Sequence, residues 1–405
     1  MMMAGIRKMA EEGMLLKQTL LREYYDDVFK CMRCGWCRGL CPVQDFVNRE
    51  ANAPRGKIQI LRALFEGDLP NISNYAIERL YFCTTCAYCL WRCPSGVKTT
   101  DIIEAARATL VNLGYATPPA HKRILENIRE VRNPFGEPRE KRAEWLPTDV
   151  KLSERAPTLY WAGCMASYRV TDTAVTTTKV LEASGVDFTI LGPGEGECGS
   201  VLIRTGHWGT VKELAQENKR LFKDIGAKTL VTSCAGCYRT FSHDYPMKFG
   251  VDLHKELGIK ILHSSQFFEH LIRERKLKPK ELKLTVAYHD PCHLGRHLGV
   301  YDSPRNVLKA IPGITLKEIP SRNRFLASCC GAGGGFRSAF PELSIKQAAR
   351  RIEQAQQAKI DALVTACPFC VENFKEGMKQ IEKPVPVYDL PELLAKSLKL
   401  NPPPR

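Results

Sequence analysis

The chain has 405 residues, of which 44% are hydrophobic and 25% are charged, with a net charge of +15. These values suit a folded protein of two or three domains and argue against global disorder. No apolar run approaches the roughly 18 residues needed to cross a bilayer, and Met1–Glu12 lacks the apolar core of a secretion signal. The 17 cysteines are an odd number, in a chain too large to need disulfide staples. We therefore expect a reduced, cytoplasmic protein in which many thiolates bind metal.

The first predicted element is an amphipathic helix near the start of the chain. Ile6–Tyr25 places methionines and leucines at helical spacing. The helix is expected either to dock on a partner or to pack on the module that follows it.

Two cysteine motifs with the same spacing come next, each ending in Cys-Pro. Three cysteines at intervals of three wrap one corner of an iron–sulfur cube, and the fourth usually binds the other cluster of a pair. We therefore predict two [4Fe–4S] cubes, one on Cys31, Cys34, Cys37 and Cys93, and the other on Cys83, Cys86, Cys89 and Cys41. Zinc knuckles and disulfides are the alternatives. A zinc site takes four ligands in two pairs, which does not explain the repeated third cysteine and the proline.

Helical patterns surround these motifs. Gly56–Glu66 and Tyr75–Tyr81 lie between them, and Thr100–Leu113 follows them with Thr100 as its expected cap. Residues 1–115 are therefore predicted to form an all-helical two-cluster ferredoxin domain that relays electrons. Residues 116–157 are rich in proline and have little apolar periodicity apart from Ile124–Val131. They are predicted to be a linker that runs over the surface.

The remaining chain repeats itself at an offset of about 130 residues. Thr158–Cys164 aligns with the segment that ends at Cys292, and Lys228–Cys234 aligns with Asp361–Cys367. Each copy alternates β-branched runs with helical stretches such as Val211–Phe222, which predicts a duplicated α/β, Rossmann-like domain with a parallel sheet. The first repeat is placed at residues 158–281 and the second at residues 282–400. The whole chain is thus a multi-domain α+β protein, with its cysteines where strands end.

The second repeat carries five cysteines, more than one cube requires: Cys292, Cys329, Cys330, Cys367 and Cys370. This set suits a noncubane [4Fe–4S] cluster in which extra sulfur ligands bridge to a displaced iron. The glycine-rich run that begins at Gly331 would let the backbone approach the inorganic sulfides. A nucleotide-binding loop is the rival interpretation, but no Lys-Ser/Thr pair follows the glycines.

The first repeat has four cysteines, namely Cys164, Cys198, Cys234 and Cys237. Glu197 stands where the second repeat has Cys329. Three interpretations remain open: four thiolates hold an ordinary cube, Glu197 acts as an oxygen ligand, or the site holds no metal.

The predicted clusters would also lower the net positive charge of the protein. A cluster held by four thiolates carries a net charge of about −2, so three or four of them cancel roughly half of the excess. Short basic runs remain at Arg139–Arg142 and Arg273–Lys280. They indicate solvated surface or a docking face for an acidic partner, and nothing aligns aromatics beside a basic strip as a nucleic-acid site requires.

Paired ferredoxin motifs followed by two Cys-Cys-Gly-type repeats resemble the D-subunit family of heterodisulfide reductase, from about Lys30 to Leu398. In that family each complete repeat holds a noncubane cluster, and the pair cleaves the disulfide between coenzyme M and coenzyme B. The resemblance implies cluster ligation by the five cysteines of the second repeat. Because Glu197 stands in place of a cysteine, the first repeat of this chain departs from the symmetric pair of complete repeats found in the family. The same architecture occurs in iron–sulfur subunits of glycolate and glycerol-3-phosphate dehydrogenases and of sulfite-reduction membrane complexes.

The first functional hypothesis is an oxidoreductase that reduces a disulfide, or oxidises thiols, with electrons arriving through the two cubes. His293 and His297 are candidate proton donors to a departing thiolate, and His293 could instead orient a cluster ligand. Arg296 and Arg337 could attract an anionic substrate group. The expected partner is a cytochrome b-like membrane protein or a flavoprotein in a hetero-oligomer at the inner face of the cell membrane. The second hypothesis is an electron-transfer subunit without a substrate.

Overall fold

The computed structural model describes residues 19–69 and 72–400, so most of the predicted Ile6–Tyr25 helix lies outside the described residues. The chain forms two compact units. The first contains the described residues up to Arg123 together with two later segments, Val201–Trp208 and Gly331–Gln347. The second contains the rest of the chain. The predicted domain boundaries themselves stay a prediction.

The first unit is built from helices joined by cysteine-bearing loops. Its early α-helices span Tyr25–Phe29, Pro54–Glu66, Asn74–Tyr81, Tyr88–Arg92 and Thr99–Asn112, with short 3₁₀ turns at Leu20–Tyr24, Arg38–Leu40, Gln44–Phe46 and Glu50–Asn52. Pro54 opens its helix because a proline at the first turn loses no hydrogen bond, and Gly67 ends it in the left-handed conformation. The apolar faces of these helices share one core, which includes Leu61, Leu80 and Ile103.

The expected cap at Thr100 is wrong. The helix begins one residue earlier, at Thr99, after a Lys98 cap that offers no side-chain hydrogen bond. Both threonines are buried, and the Thr99 hydroxyl donates to the Val97 carbonyl instead of accepting from the helix. Tertiary packing therefore decides this helix start.

The segment between residues 116 and 157 is more folded than its prolines suggest. It contains an α-helix at Pro119–Val131 and a 3₁₀ turn at Arg139–Ala143. Ile128, Asn133 and Arg142 are buried. The helix contains the periodic stretch Ile124–Val131 and begins five residues before it, because Pro119 is tolerated in a first helical turn.

Two four-stranded parallel sheets form the centre of the second unit. The first has the order β2-β1-β3-β4 and the second the order β6-β5-β7-β8. The strands are β1 Thr158–Trp161, β2 Phe188–Thr189, β3 Thr229–Thr232, β4 Lys260–His263, β5 Leu284–His289, β6 Ile314–Lys317, β7 Ala362–Thr365 and β8 Val387–Asp389. The central strands are almost wholly buried, as expected for parallel strands covered by helices.

Helices follow most of these strands. The remaining helices span Gly163–Tyr168, Thr171–Ala183, Ser200–Thr205, Trp208–Ile225, Ala235–Arg239, Leu253–Leu257, Ser264–Arg273, Asp302–Lys309, Phe336–Ala339, Pro341–Gln356, Pro368–Met378 and Leu390–Ser397, with a π-helix at Thr240–Phe249 and 3₁₀ turns at Gly192–Gly194 and Arg324–Leu326. The fold is a mixture of helices and parallel sheets, consistent with the predicted α+β class. Among the described helices, none is long and apolar enough to span a membrane.

Candidate iron–sulfur centres

The cysteines of each repeat follow two paired strands. In the first sheet Trp161 pairs with Thr232, and Cys164 and Cys234 lie three and two residues beyond them. In the second sheet His289 pairs with Thr365, and Cys292 and Cys367 follow at the same distances. The carboxyl ends of neighbouring parallel strands meet at one edge of a sheet, where ligand sites belong. Each sheet therefore brings its own cysteines to one edge.

Four cysteines of the second repeat are buried and in mutual contact. The Sγ atoms of Cys330 and Cys370 lie 3.3 Å apart. Cys329 hydrogen-bonds to Cys330, and Cys367 to Cys370. Cys292 is partly exposed on the loop after β5. Soft thiolates in this number suit an iron–sulfur cluster better than a hard cation.

The loop that carries Cys292 is held by a buried ion pair. Arg305 donates two hydrogen bonds to Asp290, at 2.6 and 2.9 Å, and both side chains are almost fully buried. The backbone N–H of Arg324 also donates to Asp290. A bidentate pair of this kind fixes orientation as well as charge. It positions Asp290, and with it the start of the cysteine loop.

His289, which belongs to no motif of the sequence, is part of this site. A ring nitrogen of His289 and the thiols of Cys330 and Cys370 lie within 4.8 Å of one another. Arg351 donates to the Nδ1 atom of His289 at 3.2 Å, so the neutral ring carries its proton on Nε2. Burial lowers the pKa of His289, which favours that neutral form. Its position at the end of β5, three residues before Cys292, is the signal that could have revealed it.

The first repeat brings its four cysteines together as well. All four are buried, and the Sγ atoms of Cys198 and Cys237 lie 3.3 Å apart. Glu197 points into the same set, with Oε1 at 3.5 Å from the sulfur of Cys198. Its Oε2 atom is buried and has no hydrogen-bond partner among the described residues, although the thiol of Cys164 lies close enough to lower the pKa of this carboxyl. Burial raises the pKa of Glu197, so this carboxyl is costly to bury as a lone anion.

A second glutamate, Glu195, holds the loop that precedes Cys164. It accepts hydrogen bonds from the backbone N–H groups of Ala162 and Gly163, at 3.0 and 2.9 Å. Arg142 pairs with it, and both side chains are almost fully buried. The hydrogen bonds of Glu195 therefore hold the loop before Cys164 in place. Glu197, in contrast, has its Oε2 atom available to bind a metal.

Two glycines leave room beside these thiols. A Cβ atom at Gly163, whose φ is +75°, would lie 3.0 Å from the sulfur of Cys237. A Cβ atom at Gly236 would lie 3.5 Å from the sulfur of Cys234. The first contact would be tighter than most real Cβ contacts and the positive φ of Gly163 also favours glycine, whereas the second is an ordinary contact distance. The donor set and this cradle fit a metal cluster.

The two repeats share a boundary at their cysteines. The thiols of Cys234 and Cys367 hydrogen-bond to each other, and this contact together with burial raises the pKa of Cys367. Phe369 and Val371, from the helix Pro368–Met378, also pack around Cys164. The two cysteine sets of the second unit are therefore adjacent.

A pocket in the first unit contains four cysteines from both ferredoxin motifs. Its lining includes Cys31, Cys34, Cys37 and Cys93. Arg55 supports this loop, since it donates to the Arg33 carbonyl at 2.8 Å and pairs with Glu50. Burial raises the pKa of Cys37 to about 11, because the charged thiolate is costly to bury. Binding to a metal would favour the thiolate and offset that cost.

The other four ferredoxin cysteines interact with one another: Cys41, Cys83, Cys86 and Cys89. Lys57, another residue outside the sequence motifs, is buried beside three of them. Burial lowers its pKa, and the thiolates of Cys41 and Cys83 act in the opposite direction. Its ammonium group donates to the Asn52 carbonyl. A buried cation here offsets the negative charge that a cluster would bring.

The remaining predicted site residues occupy different surroundings. The rings of His293 and His297 stand perpendicular, with centroids 5.1 Å apart, just after Cys292. Arg296 is buried and donates to the Ala327 carbonyl, so it is engaged in loop packing. Arg337 is partly exposed and lies near the Pro341 carbonyl.

The glycine run has a neighbour that the sequence did not reveal. Cβ atoms at Gly333 and Gly334 would lie 2.7 and 2.5 Å from the carbonyl oxygens of Thr84 and Cys83. These glycines therefore let the segment after Cys330 pack directly on a ferredoxin motif. The predicted contact of Gly331 with inorganic sulfide stays a prediction.

The chain matches two protein families. The family described as "4Fe-4S dicluster domain" matches residues 27–97, and the family described as "Cysteine-rich domain" matches residues 158–242 and residues 286–375. The first range contains both ferredoxin motifs, and the other two each contain one repeat's cysteines. A crystal structure of a hypothetical protein from Helicobacter pylori shares the fold, with a TM-score of 0.57 over 85% of this chain and 66% of that chain at 11% identity.

Curated relatives include redox enzymes and their subunits. The B subunit of fumarate reductase (CoM/CoB) from Methanothermobacter marburgensis is 32% identical over 90% of this chain and 71% of that protein. EtfAB:quinone oxidoreductase of Syntrophomonas wolfei is 29% identical over 92% of this chain and 58% of that protein. The D subunit of dihydromethanophenazine:CoB–CoM heterodisulfide reductase from Methanosarcina barkeri is 36% identical over 92% of this chain and 94% of that protein. This iron–sulfur oxidoreductase chain therefore belongs to the D-subunit family of heterodisulfide reductase.

Proposed function

We propose that the chain relays electrons through two [4Fe–4S] cubes in its first unit to a noncubane [4Fe–4S] cluster in its second repeat, where a disulfide is reduced or thiols are oxidised. The observation that carries this proposal is the convergence of Cys329, Cys330, Cys367 and Cys370 at one sheet edge. Bound clusters would supply one-electron transfer and, at the second repeat, an iron able to bind substrate sulfur. The name of the 36%-identical relative supports a heterodisulfide as substrate.

The ferredoxin part of the proposal rests on the crossed cysteine pattern. Cys93 of the second motif lines a pocket with three cysteines of the first. Cys41 of the first motif lies among those of the second. This exchange of the fourth ligand is typical of paired cubes. We propose that the first unit is an all-helical ferredoxin domain, supported by the helices that span its described residues.

We further propose that the two sheets descend from a duplication. Their strand orders correspond position by position, and the Cysteine-rich domain family matches the chain twice. Asn218 donates to the Glu197 carbonyl in the first repeat, and Asn373 donates to the Cys330 carbonyl in the second. These related contacts hold the paired-cysteine loop of each copy in a similar way.

The protein's own residues would prepare the second repeat for substrate. His289 offers an N–H donor next to Cys330. His293 and His297 lie on the partly exposed loop after Cys292. We propose them as proton donors to a departing thiolate, because imidazole titrates near neutrality.

The partners follow from the relatives' names. These proteins are subunits of larger redox complexes, which supports a hetero-oligomer with a cytochrome b-like membrane protein or a flavoprotein. Attachment at the inner face of the cell membrane through that partner is part of the same proposal.

The disulfide chemistry has a direct test. Protein purified without oxygen and reduced with dithionite is expected to develop a new paramagnetic signal when the coenzyme M–coenzyme B heterodisulfide is added. Cys330→Ser removes a thiolate from the second repeat, so this variant should lose the signal.

The matched control is Cys34→Ser, which changes a thiolate of the first unit only. It should alter the cube signals and leave the disulfide-dependent signal in place after chemical reduction. If neither the heterodisulfide nor any small disulfide changes the wild-type spectrum, the chain is a relay without a substrate. Glu197, in place of a thiolate, is the observation that favours that second candidate.

The first repeat makes a separate prediction. Because the Glu197 carboxyl lies among the buried thiols of the first repeat and its Oε2 atom accepts no hydrogen bond from the described residues, we propose that it completes a ligand set for a fourth cluster. Elemental analysis should then find about 16 irons per chain, and Glu197→Gln should reduce this to about 12.

Glu213 provides the control, since it is exposed on the helix Trp208–Ile225. Glu213→Gln should retain the wild-type iron content. A wild-type count of about 12 would mean that the first repeat is empty, whereas 16 irons in Glu197→Gln would assign ligation to the thiolates alone.

A further inference from the structure

The pocket formed by Cys31, Cys34, Cys37 and Cys93 opens onto an apolar surface. Cys34 itself is exposed. The side chain of Met32 is 70% exposed, that of Trp36 is 61% exposed and that of Trp91 is 54% exposed. Met32 and Trp36 come from the loop that supplies Cys31, Cys34 and Cys37, and Trp91 comes from the helix Tyr88–Arg92, which ends just before Cys93. Exposed tryptophans beside a cofactor site are a common mark of a protein contact surface.

Basic side chains are close neighbours of these residues along the chain. Arg33, Arg92 and Lys98 are exposed, and the guanidinium of Arg92 lies over the ring of Trp36 at 5.5 Å. Residues 31–41 and 91–98 contain no acidic side chain. Glu50 is paired with Arg55 and also lies near Arg38. The patch therefore has an apolar centre and a positive rim; we call Met32, Trp36, Trp91 and their basic neighbours the cluster-side patch.

We propose that the cluster-side patch docks a redox protein whose contact face has an apolar centre and an acidic rim, and that electrons enter the chain there. This proposal rests on the proposed cube at the pocket. Charge complementarity determines the kind of partner, because opposite charges steer the encounter and aromatic side chains supply contact area. A second copy of this chain would present the same positive rim and be repelled.

A lipid surface is disfavoured as the occupant. An anionic bilayer would also attract tryptophan and arginine. However, Met32 and Arg33 of the patch line the same pocket as the exposed Cys34. A redox centre near the surface serves electron exchange, and a lipid neither accepts nor donates those electrons. A protein partner therefore accounts for both the aromatic residues and the exposed thiol.

The test measures electron entry directly. The full-length, cluster-loaded protein is mixed without oxygen with a reduced acidic two-[4Fe–4S] ferredoxin as the probe donor, and cluster reduction is followed by stopped-flow absorbance. Arg92→Glu should lower the second-order rate constant about 10-fold or more at low ionic strength, and added salt should shrink the difference. Trp36→Ser should lower the rate constant at every salt concentration.

Arg275→Glu is the matched control, because Arg275 is an exposed arginine of the second unit. It makes the same change in net charge away from the patch and should react like wild type. Trp36→Ser should also keep the wild-type rate with dithionite, a small donor that needs no docking surface. If Trp36→Ser still reduces the disulfide after treatment with dithionite, the proposed function holds whether or not the docking proposal is correct.

Three outcomes would overturn the proposal. The first is a wild-type rate constant in both Arg92→Glu and Trp36→Ser. The second is an equal loss in Arg275→Glu, which would indicate steering by the net charge of the whole protein. The third is an unchanged donor rate combined with weaker binding of Trp36→Ser to phosphatidylglycerol vesicles, which would assign the patch to a lipid surface.

Discussion

Replacing Arg107 with methionine is expected to destabilise the first unit by about 3–5 kcal/mol. Arg107 is fully buried on the helix Thr99–Asn112. Its guanidinium donates to five backbone carbonyls, those of Leu80, Tyr81, Cys83, Arg204 and Gly334. Each buried acceptor left without a donor costs about 1–3 kcal/mol, and local relaxation recovers part of that sum.

The partners of Arg107 explain why the loss should reach the clusters. One carbonyl belongs to Cys83, the first cysteine of the second motif. The carbonyls of Arg204 and Gly334 belong to the segments Val201–Trp208 and Gly331–Gln347, which complete the first unit. Arg107→Met should therefore release both segments and the cysteine loop together. Loss of iron from the cubes should accompany the loss of stability.

Differential scanning calorimetry and iron analysis check this prediction. The unfolding midpoint of the first unit should fall by about 10 °C, given about 2–4 °C per kcal/mol for a unit of this size. Arg107→Lys should recover only part of the loss, because one ammonium group cannot reproduce a planar fork of five donors. Arg123→Met is the control, since Arg123 is exposed in the same unit. An unchanged midpoint in Arg107→Met would show that the carbonyls find other donors.

The cysteine sets could be predicted because spacing along the chain carries the information. Cys31, Cys34 and Cys37 line one pocket, and their regular spacing is visible in the sequence. The parallel strands were also predictable, since β-branched runs such as Thr229–Thr232 alternate with helical stretches. The position of Cys234 just after a strand follows from the same pattern.

Long-range contacts could not be predicted in this way. Arg107 bonds to carbonyls 97 and 227 residues away, and nothing in its own helix indicates this. Lys57 looks like a surface lysine until the fold buries it beside Cys41 and Cys83. Gly333 and Gly334 were interpreted through the cluster, whereas the structure places them against Cys83 and Thr84. Each miss involves a residue whose role depends on a distant partner.

Replacing His289 with phenylalanine is expected to lower the reduction potential of the cluster proposed for the second repeat by about 60 mV. Because Arg351 donates to Nδ1, the ring keeps its proton on Nε2 and can act only as a donor toward the thiolates. Hydrogen bonds to cluster sulfurs stabilise the added negative charge of the reduced state. A bond to a charged group contributes about 1.5 kcal/mol, which corresponds to about 60 mV for one electron.

The surroundings of His289 make phenylalanine a suitable replacement. The ring is buried and meets the ring of Phe374 edge-on, with centroids 4.8 Å apart, so an aromatic side chain of similar shape keeps the packing. His289→Gln retains an amide N–H donor and should restore part of the potential. Arg351→Met should resemble His289→Phe, because the imidazole proton could then move to Nδ1.

A redox titration followed by electron paramagnetic resonance measures the change, and iron analysis shows that the cluster is still bound. His254→Gln is the control, since His254 is an exposed histidine of the same unit. The midpoint potential of that variant should equal that of wild type. A full iron content with an unchanged potential in His289→Phe would mean that the imidazole only fills space beside Cys330. If the midpoint potential instead shifts in His289→Phe and Arg351→Met, and shifts less in His289→Gln, the N–H donor of His289 is the cause of the shift.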